Sequence, residues 1–152
     1  MRCGRVAPVA NLPAGVSALG PGTAACPGEM FTDTLGLQPH STPRAMTEAD
    51  IAHAVEEYAL SAKLALDAGF DGVELHGANG YLIEQFLNPL VNLRSDGHGG
   101  SIEGRNRMAL EVARATIGRD RPRPAATGSA FGSRPTACSM ALAHFRTCGC
   151  ST

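Results

Sequence analysis

Residues Ala68-Gly-Phe-Asp-Gly-Val-Glu-Leu-His-Gly-Ala-Asn-Gly-Tyr81 decide the fold. Phe70 to Leu75 is a short, partly apolar run flanked by glycine, which predicts a strand. Gly69, just ahead of it, is placed to end a helix. His76 stands at the strand's C-terminal end. Upstream, Thr47 and Asp50 form a capping-box-like start. Ile51, Val55, Tyr58, Ala62 and Leu66 follow at spacings of four, three, four and four, one face of a helix. Downstream comes a polar, Gly-containing loop of about 25 residues, with a helical turn near Tyr81–Leu87. Ser101 then caps a second helix that carries Met108, Val112 and Ala115 on one face and ends near Gly118. Helix, strand, long loop and helix make an α/β repeat. In barrels built from such repeats, active sites sit at the C-terminal ends of strands. Chemistry is therefore expected at His76 and in the loop after it.

The two ends differ from this middle. Residues 1–45 hold 12 of the 28 Gly and Pro, and no Lys or Arg lies between Arg5 and Arg44. That stretch predicts an irregular excursion through residue 46, with Met30–Thr34 the best strand of a hairpin. All fourteen acidic residues lie between Glu29 and Asp120, whereas Arg121 to Thr152 has four Arg and no acid. Residues 120–152 show no period of 2 or 3.6, so a disordered tail is expected. The organisation is thus excursion 1–46, barrel portion 47–119 and tail 120–152.

Composition excludes several classes. A chain of 152 residues is one domain or part of one. Its net charge of −1 argues against nucleic-acid binding, which needs a basic excess to displace counterions. No apolar run reaches the roughly 18 residues of a membrane span, and no signal peptide is evident. Five cysteines without a C-x-x-C pair suggest neither a disulfide scaffold nor a zinc site. A reducing, cytoplasmic setting is the expectation.

The sharpest chemical cluster is His76-Gly-Ala-Asn79-Gly-Tyr81. An imidazole, a carboxamide and a phenol fall within six residues, each able to donate a hydrogen bond. Such donors suit a carbonyl or anionic oxygen: two polarise it while a third group delivers a proton. The structural alternative is a strand-end histidine on backbone, an Asn-Gly turn and a packed tyrosine. A second cluster runs Asn92-Leu-Arg94-Ser-Asp96-Gly-His98-Gly-Gly-Ser101. It predicts a capped helix start with Asp96 paired to Arg94 or Arg105. Asp96 and His98 alone fall short of the three protein ligands that zinc requires, so no metal is expected. There is no G-x-G-x-x-G and no P-loop.

Ala68 through Pro89, followed by Asn92 through Arg107, closely resembles the Old Yellow Enzyme family. The resemblance rests on His76-x-x-Asn79-x-Tyr81, Gln85-Phe-Leu-x-Pro89 and Gly99-Gly-Ser-x-Glu-x-Arg105, in that order, and covers about residues 4–119. It implies a portion of a (β/α)8 TIM barrel and an FMN-dependent NAD(P)H oxidoreductase, with NADPH or NADH as reductant. It implies that His76 and Asn79 bind the oxygen of an α,β-unsaturated carbonyl or nitro compound. It implies that Tyr81 is the catalytic proton donor. It assigns no cofactor-binding residue within the chain. Two positions depart from the family pattern: His98 where Tyr is usual, and Gly104 where Asn is usual.

A full barrel takes about 250 residues, so the resemblance implies that three strands and the phosphate-binding loops lie outside this chain. Read two bases on, codons for Ala126–Ala137 permit D-R-L-S-V-R-L-S-P-Y-G, which resembles the family's next strand. The tail is accordingly expected to be a frameshifted translation. Two other functions compete with the enzyme reading. One is a non-catalytic remnant that does not bind FMN, prone to self-association or aggregation through helix faces that a parallel sheet would cover. The other is a small metal hydrolase using His76, Asp96 and His98.

Overall fold

The computed structural model describes residues 3–118; the tail expectations, disorder and frameshift alike, lie outside the described residues. A single turn of 3-10 helix at Val9–Asn11 precedes four short strands: β1 (Leu19–Gly20), β2 (Glu29–Thr32), β3 (Gly36–Pro39) and β4 (Arg44–Ala45). β1 pairs parallel with β4, and β2 pairs antiparallel with β3. A hairpin forms here, with Phe31 opposite Leu37 and Thr32 opposite Gly36, but its first strand ends at Thr32, so Asp33 and Thr34 of the expected strand lie in the turn. Three helices follow: α1 (Glu48–Asp67), α2 (Leu82–Leu87) and α3 (Ile102–Ile117).

The helix ends follow from their sequences. At the start of α1 the Asp50 N–H donates to Thr47 Oγ1 at 3.1 Å, and the Thr47 N–H donates to Asp50 Oδ2 at 2.8 Å. These two bonds close a capping box. At the other end Gly69 takes φ +96°. Its N–H reaches Leu66 O at 3.0 Å, and the Phe70 N–H reaches Ala65 O at 3.1 Å. That pair of bonds is a Schellman motif, which needs a left-handed residue at the Gly69 position. Ser101 Oγ accepts from the Gly104 N–H at 3.0 Å and caps α3, whose last residue precedes Gly118.

One core joins these elements. Met46, Ile51, Ala54, Leu82, Ile83, Phe86, Met108 and Val112 form a single buried cluster, with Val55, Tyr58 and Leu75 packed at its edge. The expected α1 stripe is covered unevenly: Ile51 and Ala62 are buried, while Val55, Tyr58 and Leu66 are half-buried. On α3, Met108 and Val112 are buried and Ala115 is half-buried.

One expectation is corrected. Residues 70–75 form no sheet pair among the described residues. A strand is completed by the N–H and C=O groups it exchanges with a neighbour, and no described segment makes that exchange with this one. The strand-like alternation persists, with Val73 and Leu75 half-buried and Asp71, Gly72 and Glu74 exposed.

The α1 cap gives a pH prediction. The Arg44 guanidinium, at 2.8 and 3.0 Å, is the main cause that holds the Asp50 carboxyl well below the usual carboxylate range; the Thr47 hydroxyl and amide add to it. A depressed folded-state pKa stabilises at neutral pH, and that contribution is lost as pH falls below about 4, the ordinary Asp value. Asp50→Asn is expected to lower the urea midpoint at pH 7, with the gap to the parent chain narrowing at pH 3. A gap that stays constant with pH would contradict this.

Candidate functional site

Residues 76–81 lie between the extended 70–75 segment and α2. Asn79 has φ +58° and Gly80 φ +75°. The Tyr81 N–H donates to Ala78 O at 3.3 Å and closes the turn. Two successive positive φ values across such a bond are the pattern of a type I′ turn, in which Asn-Gly is the favoured pair. This turn brings the Tyr81 ring back to His76: the centroids are 5.2 Å apart, with planes inclined at 53°. His76 and Tyr81 are half-buried, and Asn79 is exposed. The structure therefore joins His76 and Tyr81 directly and sets Asn79 on the turn that links them.

The second cluster is an ionic hub. Arg94, only 10 % exposed, donates to Met46 O at 2.6 Å and to Pro21 O at 3.2 Å. Its Nε donates to Asp96 Oδ1 at 2.9 Å. The Arg94 hydrogen bond is the main cause that holds the Asp96 carboxyl below its ordinary range. The expected Arg94–Asp96 pairing is thus present. His98 is buried: Nδ1 lies 3.2 Å from a Glu48 carboxylate oxygen, and Nε2 lies 3.0 Å from Glu111 Oε2. Its ring also meets Phe86 edge-on at 6.4 Å. Asn92, buried, donates to Phe86 O at 2.7 Å and to His98 O at 2.8 Å. Glycine is required beneath this hub, because a Cβ on Gly104 would fall 2.1 Å from Gly99 O.

Glu48, Asp96 and His98 present ligand atoms within 4.8 Å of one another. His76 is not part of that group, so the trio suggested for a metal hydrolase does not assemble. Arg94, ion-paired to both Asp96 and Glu48, already supplies the positive charge there. Sequence spacing did not reveal Glu48 or Glu111. Glu48 and Glu111 meet His98 across 50 and 13 residues.

The donor set can be weighed against a flavin. The imidazole, carboxamide and phenol of His76, Asn79 and Tyr81 can each donate a hydrogen bond to an oxygen. No cradle for a flavin phosphate is recognised among the described residues. No described residue is assigned to hold a flavin.

Residues 4–121 match the model of the NADH:flavin oxidoreductase / NADH oxidase family. A probable flavin mononucleotide-dependent alkene reductase of Leishmania infantum is 44% identical over 125 residues, 78% of this chain and 34% of that protein. Chanoclavine-I aldehyde reductase of Penicillium roqueforti is 54% identical over 76 residues, 50% of this chain and 21% of that protein. The chain thus spans about a fifth to a third of the length of these curated relatives. Among solved structures, morphinone reductase superposes with a TM-score of 0.73 at 41% identity, covering 76% of this chain and 32% of that one. An old yellow enzyme homologue from Zymomonas mobilis gives 0.71 at 35% identity, with the same coverage of both chains. The chain forms a portion of a (β/α)8 barrel and belongs to the NADH:flavin oxidoreductase / NADH oxidase family, in the Old Yellow Enzyme line.

Proposed function

We propose that the chain supplies the substrate-polarising side of an FMN-dependent ene-reductase. The observation that carries this reading is the His76–Tyr81 ring pair, with Asn79 on the turn between them. His76 and Asn79 donate to the oxygen of an α,β-unsaturated carbonyl or nitro compound. FMN, when bound and reduced by NADPH or NADH, supplies a hydride for the β-carbon. Negative charge then gathers on the oxygen that His76 and Asn79 hold, and donors already in place stabilise it without reorganising. The Tyr81 hydroxyl gives its proton to the α-carbon and completes the saturated product. The partner is thus a small electron-poor alkene.

The family match and the superposed reductases favour this reading over a non-catalytic remnant. Among the described residues no helix is long and apolar enough to cross a membrane. A cytoplasmic setting belongs to the same proposal; Cys3 and Cys26 are free thiols. Flavin binding tests the reading: because no described residue is assigned to hold FMN, saturable quenching of added FMN is expected to accompany self-association of the chain, other copies completing the flavin site, and an assembled chain that leaves FMN unquenched would overturn it.

A further inference from the structure

Gln85 lies in α2, between Glu84 and Phe86, and is completely buried. A carboxamide has two N–H donors and an acceptor oxygen, and burying any of them unpaired is costly. Here every one is used. Nε2 donates to Gly80 O at 2.7 Å and to Cys3 O at 3.1 Å, and Oε1 accepts from the Arg5 N–H at 3.1 Å. The first bond grips the Asn79–Gly80 turn. The other two grip backbone 82 and 80 residues away along the chain.

Gly4, between those two anchors, is shaped to this contact. Its φ is +65°, and a Cβ there would fall 2.2 to 2.6 Å from three atoms of the Gln85 carboxamide. The segment can approach only because it carries no side chain at that point. On the turn side, Asn79 and Gly80 both hold left-handed conformations. The turn's own bond, Tyr81 N–H to Ala78 O, is long at 3.3 Å. The Gln85–Gly80 bond, at 2.7 Å, is the tighter restraint.

We infer that Gln85 is a positioning residue: its buried carboxamide ties the Asn79–Gly80 turn to the Cys3–Arg5 segment and so sets where Asn79 is presented. The inference rests on the reading of Asn79 as an oxygen donor. It also makes Gly4 a remote contributor to the site, acting through Gln85.

Backbone-amide NMR of the 152-residue chain tests it without flavin. Gln85→Met removes all three bonds. Gly4→Ala keeps the carboxamide but pushes it from the far side. Both are expected to shift the amides of Asn79, Gly80 and Tyr81, with Tyr81 exchanging about tenfold faster. The capping amides of Asp50 and Gly104 should stay in place. Should Gln85→Met unfold, Gly4→Ala decides alone. A Gly4→Ala spectrum changed only around residues 3–6 would overturn the inference. So would loss of the helical signal in both variants, which would make Gln85 a general core residue. If FMN fails to bind while these shifts appear, the enzyme reading falls and the positioning of the turn stands.

Discussion

Tyr81→Phe is expected to lower turnover of an enone by roughly 10² to 10⁴, the usual contribution of a positioned general acid. The substitution removes one oxygen. The ring that stacks at 5.2 Å from His76 is retained, so the turn and the start of α2 should keep their places. Substrate binding should change little, because the proposed mechanism assigns the oxygen to His76 and Asn79. The proton donor acts only as the α-carbon accepts its proton, so the loss should fall on kcat with KM nearly unchanged. Steady-state kinetics of the FMN-loaded chain with NADPH and an enone check this. Turnover unchanged by Tyr81→Phe would remove the phenol from the proposed mechanism. An effect on KM alone would make Tyr81 a packing residue for His76.

Phe86→Ala is expected to destabilise the fold by roughly 3–5 kcal/mol, the range for deleting a fully buried aromatic side chain. Phe86 has no exposed surface and sits in the one cluster that joins Ile51 and Ala54 of α1 to Met108 and Val112 of α3. Its ring also backs His98, so the cavity would open beneath the ionic hub. A loss that large is a sizeable part of the 5–15 kcal/mol that stabilises an ordinary domain. Urea denaturation followed by circular dichroism reads it. Leu90→Ala is the control: Leu90 is 85% exposed, and the change should stay within about 0.5 kcal/mol. Equal effects from the two substitutions would contradict the assignment of the core.

Much of this was legible in the sequence because it is local. Thr47 with Asp50, Gly69, Ser101 and Gly118 each announce a helix end within four residues of themselves. The Asn79–Gly80 turn is readable from the dipeptide alone, since few other pairs accept two left-handed residues in succession. Arg94 and Asp96 are close enough in sequence for their pairing to be expected.

What was not legible depends on distance. Gln85 is named in the sequence only as the start of a family motif, and its partners become visible when the backbone at Cys3 and Arg5 arrives beside it. His98 reads as a possible ligand until Glu48 and Glu111 close on both its nitrogens. Arg94 reads as half of a local ion pair until it also reaches the carbonyls of Pro21 and Met46. The 70–75 segment has the composition and alternation of a strand, but pairing is a property of two segments, and local pattern reports only one. The proposed acceptor site stands at the end of that segment, where only its donors and their supporting turn are seen.

Titration of the purified 152-residue chain with FMN, followed by quenching of flavin fluorescence, tests the central claim most directly. The account predicts saturable quenching that rises with self-association of the chain, since no described residue is assigned to hold the flavin and other copies must complete its site. Flavin fluorescence unchanged across the titration would contradict it: His76, Asn79 and Tyr81 would then stand in this chain without the cofactor their geometry serves.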